Sequence, residues 1–227
     1  RLYFNAMEIN SYSTWLEVDL NAIKQNVARI KEMTGTEVMA VIKANGYGHG
    51  ARPVAQAVVA GGATWCGVAR IEEALQLRRA GIACKILVLG YTPPAKVPEA
   101  IEQNITVALI DPELTKSYLD YAHINGGTLH AHVKVETGMG RLGMQPADIP
   151  PFLRELADSN VLVDGIFTHF AGADEPHTGS TLRQLKTFNT LLAELDAEGL
   201  KPAVVHAANS AAIFNFPEAY FDLVRPG

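Results

Sequence analysis

Polar residues that can do chemistry stand directly after apolar runs in this sequence. Lys43 follows VMAVI, and the next seven positions bring three glycines, a tyrosine and a histidine. A lysine at the mouth of a pocket loses part of its hydration, which lowers its pKa and makes the amine nucleophilic toward a carbonyl group. The alternative is a solvated lysine at the end of a strand. The neighbours favour the first interpretation, since glycines let the backbone come close to a ligand and Tyr47 adds a hydroxyl group.

Later apolar runs also end on polar residues. These residues are Lys134 and Arg141 in VKVETGMGRLG, His169 in THF, Asn209 and Ser210 in HAANS, and Arg225 in VRPG. A short helix is predicted after Asn209, and a helix N-terminus with a free hydroxyl group binds phosphate through its unpaired amides. A phosphate site together with a nucleophilic lysine suggests pyridoxal phosphate (PLP), with the backbone amide of Gly227 as a further phosphate contact. The plain alternatives are an N-cap, a surface arginine and an ordinary turn around Arg141.

Eight apolar runs alternate with helical patterns and must position these residues. The runs lie at 38–42, 65–69, 85–89, 105–110, 129–135, 161–168, 203–207 and 221–224. Helical periodicity follows Asp19, fills 70–81 up to the stop residue Gly81, fills 111–122, and follows Ser180. This alternation implies parallel strands with crossover helices, and continuous apolar runs indicate a sheet buried on both faces. We therefore expect one α/β domain, a (β/α)8 TIM barrel over 7–227, with its chemistry at the carboxyl ends of the strands.

Composition indicates a cytoplasmic globular protein that binds neither nucleic acid nor a membrane. Hydrophobic residues make up 48% and charged residues 19%, and the formal net charge is -5. No apolar run reaches the roughly 18–20 residues of a membrane span. Cys66 and Cys84 are too few for a disulfide framework or a zinc site, so we expect reduced, packed thiols and no metal. Residues 1–6 look like an expression-tag remnant before Met7, and the abrupt end at VRPG suggests a piece of a longer protein.

Six motifs, spread from Glu17 to Gly227, carry a family resemblance. They are EVDLNAIKQNV, AVIKANGYGHG, VKVETGMGRLG, THFA, HAANSAA and FDLVRPG, in that order. The chain resembles the N-terminal barrel domain of alanine racemase, a fold-type III PLP enzyme. The resemblance implies PLP-dependent interconversion of L-alanine and D-alanine, which supplies D-alanine for peptidoglycan precursors, and a homodimer.

The resemblance also implies a covalent link and a phosphate site. Lys43 is similar to the lysine that forms the internal aldimine with PLP and acts as the base on the Cα proton of the D-isomer. Tyr47, Ser210 and the Gly227 amide are similar to the family's phosphate contacts. Asn209 lies beside them in the cofactor pocket.

Four further residues resemble groups around the cofactor ring. Arg225 is similar to the arginine that faces the pyridine nitrogen, and His169 to the histidine that bonds to this arginine. Arg141 resembles the arginine bonded to the phenolic oxygen, and Lys134 the lysine that is often carbamylated to hold it.

The sequence departs from the family pattern in two small ways and one large one. The family usually has Asp where this chain has Glu136, and commonly Ala where it has Gly46. More important, the family's second domain supplies a tyrosine that acts across the dimer interface as the opposite base. Racemisation needs acid/base groups on both faces of Cα. We therefore expect these 227 residues by themselves to racemise alanine weakly or not at all.

Three alternatives remain open at the level of sequence. A single-domain PLP homeostasis protein has about this length, but its lysine segment does not resemble KANGYGHG. A serine or broad-specificity amino-acid racemase shares these motifs. A catalytically silent binding module would have no need to retain Lys43, Arg141, His169, Ser210 and Arg225 together.

Overall fold

A computed structural model of the chain describes residues 13–227 as strands that alternate with helices. The strands are β1 (Glu37–Val41), β2 (Trp65–Val68), β3 (Lys85–Val88), β4 (Thr106–Leu109), β5 (Leu129–Lys134), β6 (Val161–Phe167), β7 (Val204–His206) and β8 (Leu223–Val224). The helices are α1 (Leu20–Thr34), α2 (Lys43–Tyr47), α3 (Ala51–Ala60), α4 (Ile71–Arg79), α5 (Val97–Glu102), α6 (Pro112–Asn125), α7 (Ile149–Leu156), α8 (Gly179–Ala197) and α9 (Ser210–Asn215). The eight strands coincide with the eight predicted apolar runs to within two residues at each end. The predicted tag remnant, 1–6, lies outside the described residues.

All neighbouring strands are parallel, in the order β7-β6-β5-β4-β3-β2-β1-β8. Two backbone hydrogen bonds bring the ends of this order together. The amide of Asp222 donates to the carbonyl of Val205 at 3.1 Å, and the amide of Arg225 donates to that of Ala208 at 2.9 Å. The sheet is thus a nearly closed barrel with its helices outside, which confirms the predicted (β/α)8 fold.

The helices begin and end where their caps predict. Asp19 accepts hydrogen bonds from the amides of Asn21 and Ala22 at the start of α1, and Asp111 accepts from the amide of Leu114 in α6. Helix α4 ends at Arg79, two residues before the predicted stop at Gly81, whose φ of 78° takes the chain into β3.

The core has two layers. The larger layer lies between the strands and the helices. The smaller one fills the barrel interior with Met39, Trp65, Leu87, Ala108, Phe167 and Leu223. Polar side chains share that interior, because Lys134 and Arg225 lie 5.6 Å and 5.5 Å from the centre of the Phe167 ring. An interior with buried cations is unusual for a packed barrel and indicates a functional end.

Two expectations from composition concern the cysteines and the membrane. Cys66 and Cys84 are free thiols whose sulfur atoms lie 3.4 Å apart, a proximity that the sequence did not indicate. Between residues 13 and 227, no helix is long and apolar enough to cross a membrane.

Candidate active site

Lys43 lies on a turn with left-handed backbone geometry, which we call the lysine turn (43–48). Helix α2 forms its main part, and the φ angles of Ala44, Asn45 and Tyr47 are 51°, 57° and 53°. Left-handed geometry costs a non-glycine residue roughly 1–2 kcal/mol, so surrounding contacts must hold the turn. Lys43 is half-buried, and its Nζ lies 5.9 Å from the centre of the Tyr47 ring.

Glu73 in α4 holds the start of the lysine turn. Its Oε1 accepts from the amide of Ala44 at 2.6 Å, and its Oε2 accepts from the amides of Ala69 and Arg70 at 2.8 Å and 3.1 Å. One carboxylate thereby ties the chain after β1 to the chain after β2. We expect the position of Lys43 to depend on this link.

Arg225 lies at the end of β8 and is buried. Its terminal nitrogens donate to the carbonyls of Thr168 and Ala207 at 2.7 Å and 2.9 Å and to Nδ1 of His206 at 2.9 Å. Burial lowers the pKa of the guanidinium to about 9, so the group stays charged at neutral pH. Among residues 13–227, no carboxylate forms a salt bridge with Arg225. A buried cation without a counter-ion favours an anionic or electron-rich ligand.

Lys134, at the end of β5, is a second buried cation. Burial lowers its pKa to about 8, and repulsion from Arg141, Arg225 and Lys43 adds to the shift, while Glu136 opposes it. The amine is therefore partly neutral near physiological pH.

His169 lies among the same cations. Burial, together with repulsion from Arg225, Arg141, Lys134 and Lys43, lowers its pKa to about 3. The imidazole is neutral at pH 7. The structure thus brings five of the residues that the sequence singled out close enough to act on one another, namely Lys43, Lys134, Arg141, His169 and Arg225.

Arg141 lies on the exposed glycine-rich loop after β5, and Glu136 organises this loop. The carboxylate of Glu136 accepts from the backbone amides of Gly138, Gly140 and Arg141. Partial burial raises the pKa of this carboxyl, but the amide donors outweigh it and lower the pKa below its ordinary value. The charge of Glu136 opposes the lowering of the Lys134 pKa, but burial and the neighbouring cations outweigh it.

The predicted phosphate contacts converge beside the lysine turn. The amide of Gly227 donates to Oγ of Ser210 at 3.0 Å, and the hydroxyl of Ser210 donates to the carbonyl of Gly227 at 3.1 Å. A Cβ at residue 227 would come within 2.9 Å of the Tyr47 hydroxyl oxygen and 3.0 Å of Cβ of Val41, and glycine avoids both contacts. The three residues line one end of a mostly apolar groove of about 920 Å³ beside α1. The side chain of Asn209 instead caps α9 by accepting from the amide of Ala212 at 3.0 Å.

The donor set fits PLP. An amine at Lys43 suits its aldehyde, the hydroxyl and amide donors at Tyr47, Ser210 and Gly227 suit its phosphate, and Arg225 suits an acceptor on its ring. A surplus of cations suits its negative charge. The described residues contain no group of three or more His, Cys, Asp or Glu side chains that could hold a metal ion.

The family model for the N-terminal domain of alanine racemase matches residues 18–227, which include every residue of this site. The chain belongs to the alanine racemase N-terminal domain family. Its curated relatives include the alanine racemases of Symbiobacterium thermophilum, 48% identical over 94% of this chain and 57% of that protein, and Desulforamulus reducens, 45% identical over 94% and 59%. The chain thus spans less than two thirds of the length of these relatives.

Solved alanine racemases share the fold. The Bacillus anthracis structure, which has bound L-Ala-P, matches with a TM-score of 0.88 at 40% identity, over 94% of this chain and 56% of that one. The Streptomyces lavendulae structure matches with a TM-score of 0.88 at 41% identity, over 92% and 56%. Sequence identities of 40% and 41% are too high for a similarity of fold alone.

Three residues that the alanine racemase motifs did not single out also shape the site. They are Glu73, His206 and Gln184, whose amide links Thr137 and the His169 carbonyl. The histidine that bonds to Arg225 is His206, and no hydrogen bond joins the His169 side chain to Arg225 within residues 13–227. His206 opens the HAANS motif, but only the polar residues that follow it, Asn209 and Ser210, match the pattern of a phosphate site.

Proposed function

We propose that this chain is the PLP-binding barrel domain, over 7–227, of an alanine racemase. The observation that carries the proposal is the cluster at the strand ends, where the charges of Lys43 and the buried Arg225 both act on His169 and where Arg225 has no carboxylate partner among residues 13–227. Family membership supports the same conclusion.

Each polar group then has a defined task. Lys43 would hold the cofactor through its amine. Once the amino group of the substrate has replaced that amine, Lys43 would be free to take or return a proton at one face of the substrate Cα. PLP, when bound, withdraws electrons from Cα and so makes its proton acidic. The fixed charge of Arg225 opposes protonation of the ring nitrogen. This keeps the electron withdrawal moderate, which favours rapid return of the proton over side reactions.

The opposite face of Cα needs a second acid/base group. We propose that a tyrosine from the family's second domain supplies it across a homodimer interface, consistent with the greater length of the relatives. Within this proposal His169 and Arg141 contact the cofactor environment, and Asn209 supports the phosphate site through its cap on α9.

The covalent step is tested by adding PLP to the purified chain and reducing with borohydride. Peptide mass spectrometry should place the cofactor on Lys43, and the adduct should disappear in Lys43→Ala. Lys24→Ala removes an exposed lysine of α1 and should leave the adduct unchanged. Absence of an adduct in the unchanged chain would favour the silent binding module.

The reaction is tested by measuring interconversion of alanine and of serine isomers by the parent gene product and by the 227 residues. We expect the parent to prefer alanine and the 227 residues to be much slower. Equal rates for both proteins would refute the proposal of a second base outside this chain.

A further inference from the structure

A column of polar side chains runs from Arg225 through the apolar barrel interior. Nη1 of Arg225 lies 2.9 Å from Nδ1 of His206, and Nε2 of His206 lies 2.8 Å from Nδ1 of His132. Both imidazoles, which we call the histidine pair, are fully buried. Phe167 stacks on His206 with ring centres 4.8 Å apart, and Trp65 packs on His132 at 5.1 Å.

The chemistry of the guanidinium fixes the direction of each hydrogen bond in this column. Arginine nitrogens only donate, so Nδ1 of His206 must be the acceptor and its proton must be on Nε2. That Nε2–H then donates to Nδ1 of His132. By the same logic the proton of His132 is on its own Nε2, which has no hydrogen-bond partner within residues 13–227.

The electrostatic environment keeps both rings in the neutral form that this order requires. Burial, with repulsion from Lys85, Arg225 and His130, lowers the pKa of His132 to about 3. Burial, with repulsion from Arg225 and His132, lowers the pKa of His206 well below its ordinary value. A protonated His206 would have no lone pair for Arg225 to donate to.

The neighbouring strand is shaped around the His132 ring. The register between β5 and β6 shifts between Ala131 and His132. A Cβ at Gly165 would lie 2.6 Å from the nearest ring carbon of His132, closer than real contacts allow. The ring therefore occupies space that only a glycine leaves free, and its orientation is fixed by packing as well as by His206.

We propose that His132 is a positioning residue, which fixes the tautomer of His206 and thereby the orientation of the Arg225 guanidinium at the cofactor pocket. Only the last link, from Arg225 to the cofactor, rests on the proposed function. His132 acts only through His206 and Arg225.

The first test needs no cofactor. Long-range ¹H–¹⁵N NMR of the histidines in the 227-residue chain should show His206 and His132 neutral at pH 7, each with its proton on Nε2. A proton on Nδ1 of His206 would overturn the proposal, whether or not the chain binds PLP. Failure to bind PLP would instead count against the proposed function alone.

The second test compares two substitutions at residue 132. His132→Asn places an amide oxygen near the former Nδ1, so the PLP dissociation constant should stay within about threefold. His132→Leu removes the acceptor and should raise that constant about tenfold, the effect of one lost buried hydrogen bond. A purely structural role would lower the melting temperature of both variants without separating their PLP affinities, and equal affinities would overturn the proposal. If the leucine variant does not fold, the tautomer of His206 in the unchanged chain and in His132→Asn decides.

Discussion

At the scale of single residues, Lys134 shows how burial changes the chemistry of an amine. The side chain is only 5% exposed, and its pKa is lowered to about 8, chiefly by burial and then by Arg141. Only the neutral amine attacks carbon dioxide, losing a proton to give a carbamate. The resulting anion would accept from Arg141, where the ammonium repels it.

We predict that Lys134 carbamylation increases as the pH rises through about 8, because the neutral fraction of the amine grows there. The measurement is ¹³C NMR of the chain in ¹³C-labelled bicarbonate. Lys134→Gln should lose the carbamate signal, while Lys24→Ala should keep it. If Lys134 carries no carbamate in bicarbonate above pH 8, the carbamylation hypothesis is wrong.

At the scale of elements, the lysine turn depends on a partner that follows a different strand. Glu73 satisfies three backbone amides with one carboxylate, and one of them belongs to Ala44. The amides of Ala44 and Arg70 are exposed and that of Ala69 is partly buried, so the loss of this cap costs about 0.5–2 kcal/mol. The strain of the left-handed residues makes this link more important than an ordinary helix cap.

We predict that Glu73→Ala lowers the free energy of unfolding by about 0.5–2 kcal/mol and slows borohydride-trapped PLP attachment at Lys43 about tenfold. Urea unfolding and timed trapping measure the two effects. Glu72→Ala is the matched control, since Glu72 is the exposed neighbour of Glu73 in the same first turn of α4. If both variants attach PLP at the same rate, Glu73 does not position Lys43.

At the scale of the whole molecule, the histidine pair makes stability depend on pH. Both imidazoles stay neutral in the folded chain because burial lowers their pKa values, to about 3 for His132. The unfolded chain binds these protons below about pH 6.5. The stability contributed by the pair is therefore fully present above pH 6.5 and is lost as the pH falls toward 3.

We predict that the free energy of unfolding falls by up to about 1.4 kcal/mol per pH unit for each member of the pair below pH 6.5. Urea titrations at a series of pH values between about 7 and 5 measure this slope. His132→Asn should reduce the slope by about 1.4 kcal/mol per pH unit, the contribution of one proton. His177→Gln, which replaces an exposed histidine, should leave the slope unchanged. An unchanged slope in His132→Asn would show that His132 is protonated in the fold.

The barrel was predictable from the sequence, and so was the presence of polar residues at the carboxyl ends of its strands. Continuous apolar runs predict these strands, because a strand buried on both faces needs apolar side chains throughout. Polar residues that directly follow such runs therefore lie at the strand ends. Glu73 was not recognisable, since an acid in the first turn of a helix has the pattern of a solvated face. His132 and His206 lie within strands. There the sequence does not distinguish a histidine that positions another side chain from one that only fills the core. The backbone of Ala44 was hidden because alanine does not mark a positive φ, whereas Asn45 is of a type that favours one.

The lysine turn winds in the mirror image of the helices around it. Ala44, with φ and ψ both at 51°, occupies a conformation in which a residue of D configuration is unstrained. A chain assembled by chemical ligation with D-alanine at this position should keep the native turn and gain stability. The same replacement at Ala74, inside right-handed α4, should break the helix. At the turn that carries Lys43, inverting the chirality of a residue therefore relieves the backbone instead of distorting it.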